Sequence, residues 1–269
     1  MNAVHSRRRL LVGSLAFVAL ALICVIVAVA ATAPVACPAG PWARASAALQ
    51  PPSHEMFAGT DDIGRSVMCT TLYGLRTSLG IGVAAGAVTL FLGIVVGAVA
   101  GFVGGWSDLL LMRVAEVAHT IPRLFLAILV AALFEPRMIG LVLVLGLTSW
   151  GMLARIARAE AMALSAREFV LAASALGLST VGLLLRHILP NLYRPLLATA
   201  GPTIAGAIVT EAALSYVGLG DPDSASLGRL IATAYPFMES AWWMSATPVA
   251  ALVALTLAFM LLAEVPNAR

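Results

Sequence analysis

Charge-free apolar runs, each close to the length of a bilayer span, constrain this chain more than any other feature. A transmembrane helix needs about 20 mostly apolar residues. Arg9 to Pro34 encloses one such run, and Arg76 to Asp108 a second, centred on Gly80–Gly101. Arg137 to Arg155 encloses another, Met138–Ala154. Arg194 to Glu211 opens a run through Ala198, Ile204 and Ile208, and Glu239 to Glu264 encloses the last. Between the second and third of these, Asp108–Phe134 is apolar but carries Arg113, Glu116, His119 and Arg123. At about 100° per residue, Arg113, Glu116 and Arg123 fall within about 80° of one another. A single polar face of this kind is expected to point into a bundle, because charges are costly against lipid. The sequence therefore predicts an all-α polytopic membrane protein with six transmembrane helices. Composition agrees: 61% of residues are hydrophobic and 11% charged, where soluble domains carry about a quarter charged residues.

All 16 basic residues counted as Lys+Arg are arginine. Without lysine there is no Walker A loop, whose lysine reaches the β/γ-phosphates. A Schiff-base lysine and the lysine-dependent serine hydrolases are excluded with it. The net charge of +3 is accounted for by arginine on cytoplasmic loops rather than by nucleic-acid binding. With the N-terminus inside, nine arginines fall inside, five outside and two, Arg113 and Arg123, in the third span. That bias favours cytoplasmic N- and C-termini. The expected division is a cytoplasmic tail over 1–9 and an anchor helix over 10–34. An extracytoplasmic loop over 35–75 and a helical bundle over 76–265 complete it. Arg7-Arg8-Arg9 before an apolar run also resembles a signal peptide, but the run exceeds the 7–15 residues of a signal core, which favours an uncleaved anchor. Cys24, Cys37 and Cys69 have no metal-ligand spacing. Cys37 and Cys69 share the outer loop; the compartment permits a disulfide, although unpaired thiols are the favoured expectation.

Gly93, Gly97, Gly101 and Gly105 recur every four residues in the second span, after Gly82 and Gly86. Small residues on one stripe let helix backbones approach closely. Helix packing is the plain reading, and a rocking pathway the sharper one. Gly201-Pro202 and Gly206 suggest a kink or loosened helix in the fifth span. Glu211, near its outer end, is either a functional carboxylate or a water-exposed residue at the membrane boundary.

The segment Ser165 to Gly177 is the most informative stretch. Ser165 and Glu168 fit an S-x-x-E capping box. Phe169, Ala172, Ala173 and Leu176 follow the spacing of one helical face, and Gly177 suits a left-handed terminator. A second short helix is expected from about Thr180 to Leu189, stopped by Pro190. An alanine-rich stripe suits a partner groove that admits close approach. An amphipathic helix lying on the membrane or on its own bundle explains it equally well.

Leu171-Ala-Ala-x3-Gly177, continuing to His187-Ile-Leu-Pro190-Asn191, resembles the EAA loop of ABC importer permeases. The likeness is greatest to the C-type permease subunits of the dipeptide/oligopeptide/nickel group. It extends over Gly59-Thr-Asp-Asp-Ile-Gly-Arg65, Gly104-Gly-Trp-Ser-Asp108, Leu110-Leu-Met-Arg113, Ile121-Pro122, Thr148-Ser-Trp150 and Ala154-Arg155. Glu168-Phe-Val170, Arg186–Asn191 and Thr210-Glu-Ala-Ala-Leu-Ser-Tyr-Val-Gly-Leu-Gly220 complete it. Two departures stand out. Leu171 occupies the namesake glutamate position, and His187 the isoleucine position of the wider motif.

The resemblance implies a type I ABC importer permease fold in a bacterial inner membrane. It implies a second permease subunit forming the other half of the pathway, two ATPase domains and an external substrate-binding protein. ATP and Mg would sit on the ATPase partners and no cofactor on this chain. The loop 155–194 would carry the coupling helix, with Arg167, Glu168, Ala172, Ala173 and Gly177 as its contact residues. Gly93, Gly97, Gly101 and Glu211 would serve packing or the pathway. Peptides are the expected cargo, with nickel or another small chelate as the alternative. A polytopic membrane enzyme would have to use His119 and Glu116, but no Gly-x-Ser-x-Gly, His-Glu-x-x-His or paired-aspartate motif occurs. A stand-alone secondary transporter would show repeated halves, and none is seen.

Overall fold

A computed structural model describes residues 2–120, 122, 125–126, 128–130 and 137–264, without the side chains of 2–16, 193–195 and 264. The described residues form helices and connecting turns, with only isolated bridges between extended residues. The long helices are α1 (Asn2–Ala36), α2 (Val67–Val103), α3 (Gly105–Thr120) and α4 (Met138–Ser165). Three short ones follow: α5 (Glu168–Ala175), α6 (Thr180–Leu183) and α7 (Leu189–Asn191). The chain continues through α8 (Tyr193–Tyr216), α9 (Leu227–Ala234) and α10 (Trp243–Leu261).

Five of these are long and apolar enough to cross a membrane: Phe17–Ala36 within α1, all of α2 and α4, Leu196–Tyr216 within α8, and α10. The sixth expected span begins as α3, and Arg123 with much of the remainder lies outside the described residues. The bundle's outer surface is apolar, with Phe91, Leu147 and Leu257 exposed. That is the arrangement lipid requires, since tails solvate such side chains as well as a core does.

Helix α2 is the central post. Its 37 residues rise about 55 Å, well beyond the ~30 Å hydrocarbon thickness. It starts at Val67 rather than near Arg76, because the Ser66 hydroxyl caps it, accepting the Cys69 N–H at 3.4 Å. The expected 35–75 loop is correspondingly shorter. The loop is tied at both ends by a Cys37–Cys69 disulfide, contrary to the expectation of free thiols. The end of α1 and the first turn of α2 lie side by side there, and the Tyr73 hydroxyl donates to the Cys37 carbonyl at 3.2 Å. Inside the loop, buried Thr60 donates to the Ala47 carbonyl at 2.7 Å and accepts the Gln50 N–H at 2.8 Å. The Trp243 indole donates to the Thr60 carbonyl at 3.2 Å, fastening the loop to α10.

The glycine stripe divides between two neighbours. A Cβ on Gly82 or Gly86 would strike Ile208 or Ile204 of α8. A Cβ on Gly93 would meet Leu153, and on Gly97 or Gly101 the Ala154 or Arg158 carbonyls of α4. Gly105 does not belong to the stripe. It follows Gly104 in the α2–α3 turn, and both have positive φ. Helix α4 runs past the expected loop start at Arg155 as far as Ser165. Its continuation is rich in alanine, a strong helix former, and Ala157 and Ala161 fill the grooves over Gly97 and Gly101. Helix α8 continues through Gly201-Pro202 as one element, and Gly201 brings it against the Phe259 carbonyl of α10.

Candidate coupling surface

The segment joining α4 to α8 is built on a buried base. Val170 and Ala173 of α5 pack with Leu183, Ile188, Leu192 and Leu196 against Ala98 of α2 and Leu153, Ala157 and Ala161 of α4. The capping box does not form. Ser165 is the last residue of α4 and its hydroxyl donates to the Met162 carbonyl at 2.7 Å. The extended helix α4 has taken up the would-be cap, so α5 starts after Arg167, which offers no side-chain cap.

The end of α5 is better specified. Gly177 adopts φ +84°. Its N–H donates to the Ser174 carbonyl at 2.9 Å, and the Leu178 N–H to the Ala173 carbonyl at 3.3 Å. This paired pattern is the Schellman motif, which needs a left-handed residue at Gly177. Helix α6 then starts on Ser179, whose hydroxyl accepts the Gly182 N–H at 3.2 Å. Pro190 does not stop the chain as expected. A π turn over Leu184–Ile188 widens the helix before the proline, and the Leu189 N–H reaches back to the Leu184 carbonyl. The bulge relieves the clash a proline makes with the carbonyl four residues earlier. The Asn191 side-chain amide donates to the His187 carbonyl at 2.6 Å, and the helix carries on.

The opposite face is left open among the described residues. Arg167, Glu168, Ala172 and Gly177 are exposed on it, whereas Ala173 turns inward to the base. Phe169, Leu171 and Leu176 are exposed as well, Leu176 by 84%, and so are Val181 on α6 and Leu185 in the π turn after it. Phe169 lies beside His187, their rings 6.2 Å apart. The expected stripe is therefore split: Ala173 anchors, while Phe169, Ala172 and Leu176 face outward. Val181 and Leu185 were missed, although their four-residue spacing before Pro190 was a readable sign of a shared face. Apolar side chains gathered on an exposed loop mark a place where another protein or a membrane binds.

The other expected residues lie away from this surface. Glu211 is 0% exposed, so the water-exposed reading is wrong. Ser78 of α2 and Ser215 of α8 donate to its two carboxylate oxygens at 2.8 and 2.7 Å. Ser78 also accepts the Leu227 N–H at 3.2 Å, and Ser226, which caps α9, lies against the same carboxylate. Glu211 thus ties α2, α8 and α9 together. Near the coupling loop, Arg158 of α4 holds Asp108 of α3 in a bidentate pair at 2.5 and 2.6 Å. Arg113 and Glu116 pair at 2.8 Å but stay largely exposed, so these two residues of the polar face are not buried in the described bundle. Among the described residues no His/Cys/Asp/Glu group could hold a metal ion.

The family described as the inner membrane component of binding-protein-dependent transport systems matches residues 93–268, which include the whole coupling surface. The chain belongs to that family. It is 37% identical over 195 residues to the oligopeptide transport system permease protein OppC of Bacillus subtilis, 72% of this chain and 64% of that one. It is 34% identical over 208 residues to the OppC of Haemophilus influenzae, 77% of this chain and 67% of that one. The di/tripeptide transport system permease protein DppC of Pseudomonas aeruginosa is 31% identical over 223 residues, 80% of this chain and 74% of its own. The chain is thus a multi-pass membrane protein of that family. The matched residues include the whole exposed face of α5.

Proposed function

We propose that this chain is the permease subunit of an ATP-driven peptide importer, and that the exposed face of α5 to α7 is where its motor docks. The observation that carries the reading is the two-sided loop: a buried base pinned to α2 and α4, and an outer face with Leu171, Ala172 and Leu176 unpaired. A lever needs both properties, rigidity towards the bundle and an open contact towards the partner. Peptide cargo follows from the similar permeases, named for oligopeptides and di/tripeptides.

In this reading a second permease subunit completes the pathway. Two ATPase domains bind ATP and Mg and press on the loops, and closure of the motor moves α5 with α4 and α2 as one body. The arginine bias supports a cytoplasmic position for α5 and both termini. The outer loop and α9 then face an external binding protein that releases cargo. Arg167 and Glu168 sit at the rim of the contact, Ala172 at its centre, and Gly177 at the turn that aims it. Leu171 replaces a polar contact by an apolar one without altering the mode of docking.

Gly177→Asp is the direct test in reconstituted transporter. It puts a side chain on a left-handed residue and a negative charge at the C-terminal end of α5, which is unfavourable. ATP hydrolysis is expected to persist while uptake falls at least about ten-fold, the effect of roughly 1.4 kcal/mol on coupling. Uptake at the original rate would sink the assignment.

A further inference from the structure

A cavity of about 280 Å³ opens between α3 and α4, lined by Asp108, Met112, Arg113, Glu116, Arg155 and Arg158. It is separate from the coupling face. The Asp108–Arg158 pair closes one wall, and Arg113 is engaged by Glu116. Arg155 has no acidic partner among the described residues. Three arginines against two acids leave the cavity with an excess of one positive charge.

Depth narrows the choice of ligand. From Met138 to Ala154, α4 is free of charge and rises about 25 Å, close to the ~30 Å of a hydrocarbon core. Arg155 therefore stands where the phosphates of one leaflet lie. On the hydrocarbon side of Arg113, Val114 and Val117 point outward, and Trp106 is exposed on the other side. That order of aliphatic surface, arginine and tryptophan matches acyl chain, phosphate and interface. An arginine at this depth needs an anion beside it, and the described residues supply none for Arg155. We propose that the cavity binds the phosphate of an anionic phospholipid of the cytoplasmic leaflet, with Arg155 as the contact that selects it. The leaflet rests on the orientation proposed above; the lipid does not.

The test uses the assembled transporter, exchanged into equal phosphatidylglycerol and phosphatidylcholine, with retained lipid counted by native mass spectrometry. The original protein is expected to retain phosphatidylglycerol preferentially. Arg155→Gln should lower that retention about five-fold, the worth of one arginine at an anionic surface. Arg155→Lys should keep most of it, which separates lost charge from lost folding. Arg186→Gln, on the coupling loop, should change nothing. Equal retention by Arg155→Gln and the original protein overturns the proposal. Displacement of the lipid by millimolar inorganic phosphate would assign the cavity to a soluble anion and overturn it equally. Labelling of Ser174→Cys by an impermeant thiol reagent reads the orientation separately: reaction from the outside would refute the leaflet and leave the lipid count standing.

Discussion

At the scale of single residues, the informative positions are those where chemistry and location conflict. A carboxylate fully buried in an apolar bundle is such a conflict. Glu211 resolves it with hydroxyl donors on α2 and α8 and a third serine at the start of α9. Each of these donors would lose its acceptor in Glu211→Ala, at a cost of about 1–3 kcal/mol apiece. That variant is expected to melt well below the original protein in detergent, with Glu211→Gln between the two because one carbonyl acceptor survives. An alanine variant as stable as the original would show that the carboxylate does not join these helices. The sequence placed Glu211 near a helix end and left its role open. Its partner Ser78 lies 133 residues away, so neither periodicity nor spacing could have found it. Gly177 is the contrary case. Its left-handed turn was legible because the signal is local: a glycine directly after one helical face.

At the scale of elements, locally determined features were readable and contact-determined ones were not. The apolar runs located five spans, since length and charge alone set them. Their ends shifted wherever a neighbour intervened. Helix α4 outran its apolar stretch because alanines fit the glycine grooves of α2. The same extension cancelled the capping box at Ser165. Pro190 was read as a stop, but a π turn and the Asn191 side chain absorb it. The disulfide was undervalued because nothing in the sequence places the end of α1 beside the start of α2. It closes a loop of 32 residues, for which a crosslink contributes about 2–4 kcal/mol. Cys37→Ser combined with Cys69→Ser is therefore expected to make the outer loop the first site of limited proteolysis, with the spans still inserted. Unchanged proteolysis would mean that Thr60 and Trp243 hold the loop without it.

At the scale of the whole molecule, two clamps and an open face define how force could travel. At one end, Glu211 and the disulfide join α1, α2, α8 and α9. At the other, the glycine–alanine packing of α2 with α4 and the Asp108–Arg158 pair hold the base of the coupling loop. Between them α2 runs the full height of the bundle. The base of α5 and the disulfide-tied loop before α2 are therefore both packed on this one helix. The missing lysine is consistent with the proposed division of labour, in which the P-loop belongs to a partner.

The most direct measurement is a crosslink from the open face. With Cys24, the one unpaired cysteine among the described residues, replaced by alanine, Leu176→Cys puts a thiol on the most exposed apolar residue of the loop. In the assembled transporter it should crosslink to an ATPase subunit, in a yield that changes when ATP is added. A thiol that reacts only with lipid-phase reagents, or only within its own chain, would contradict the account.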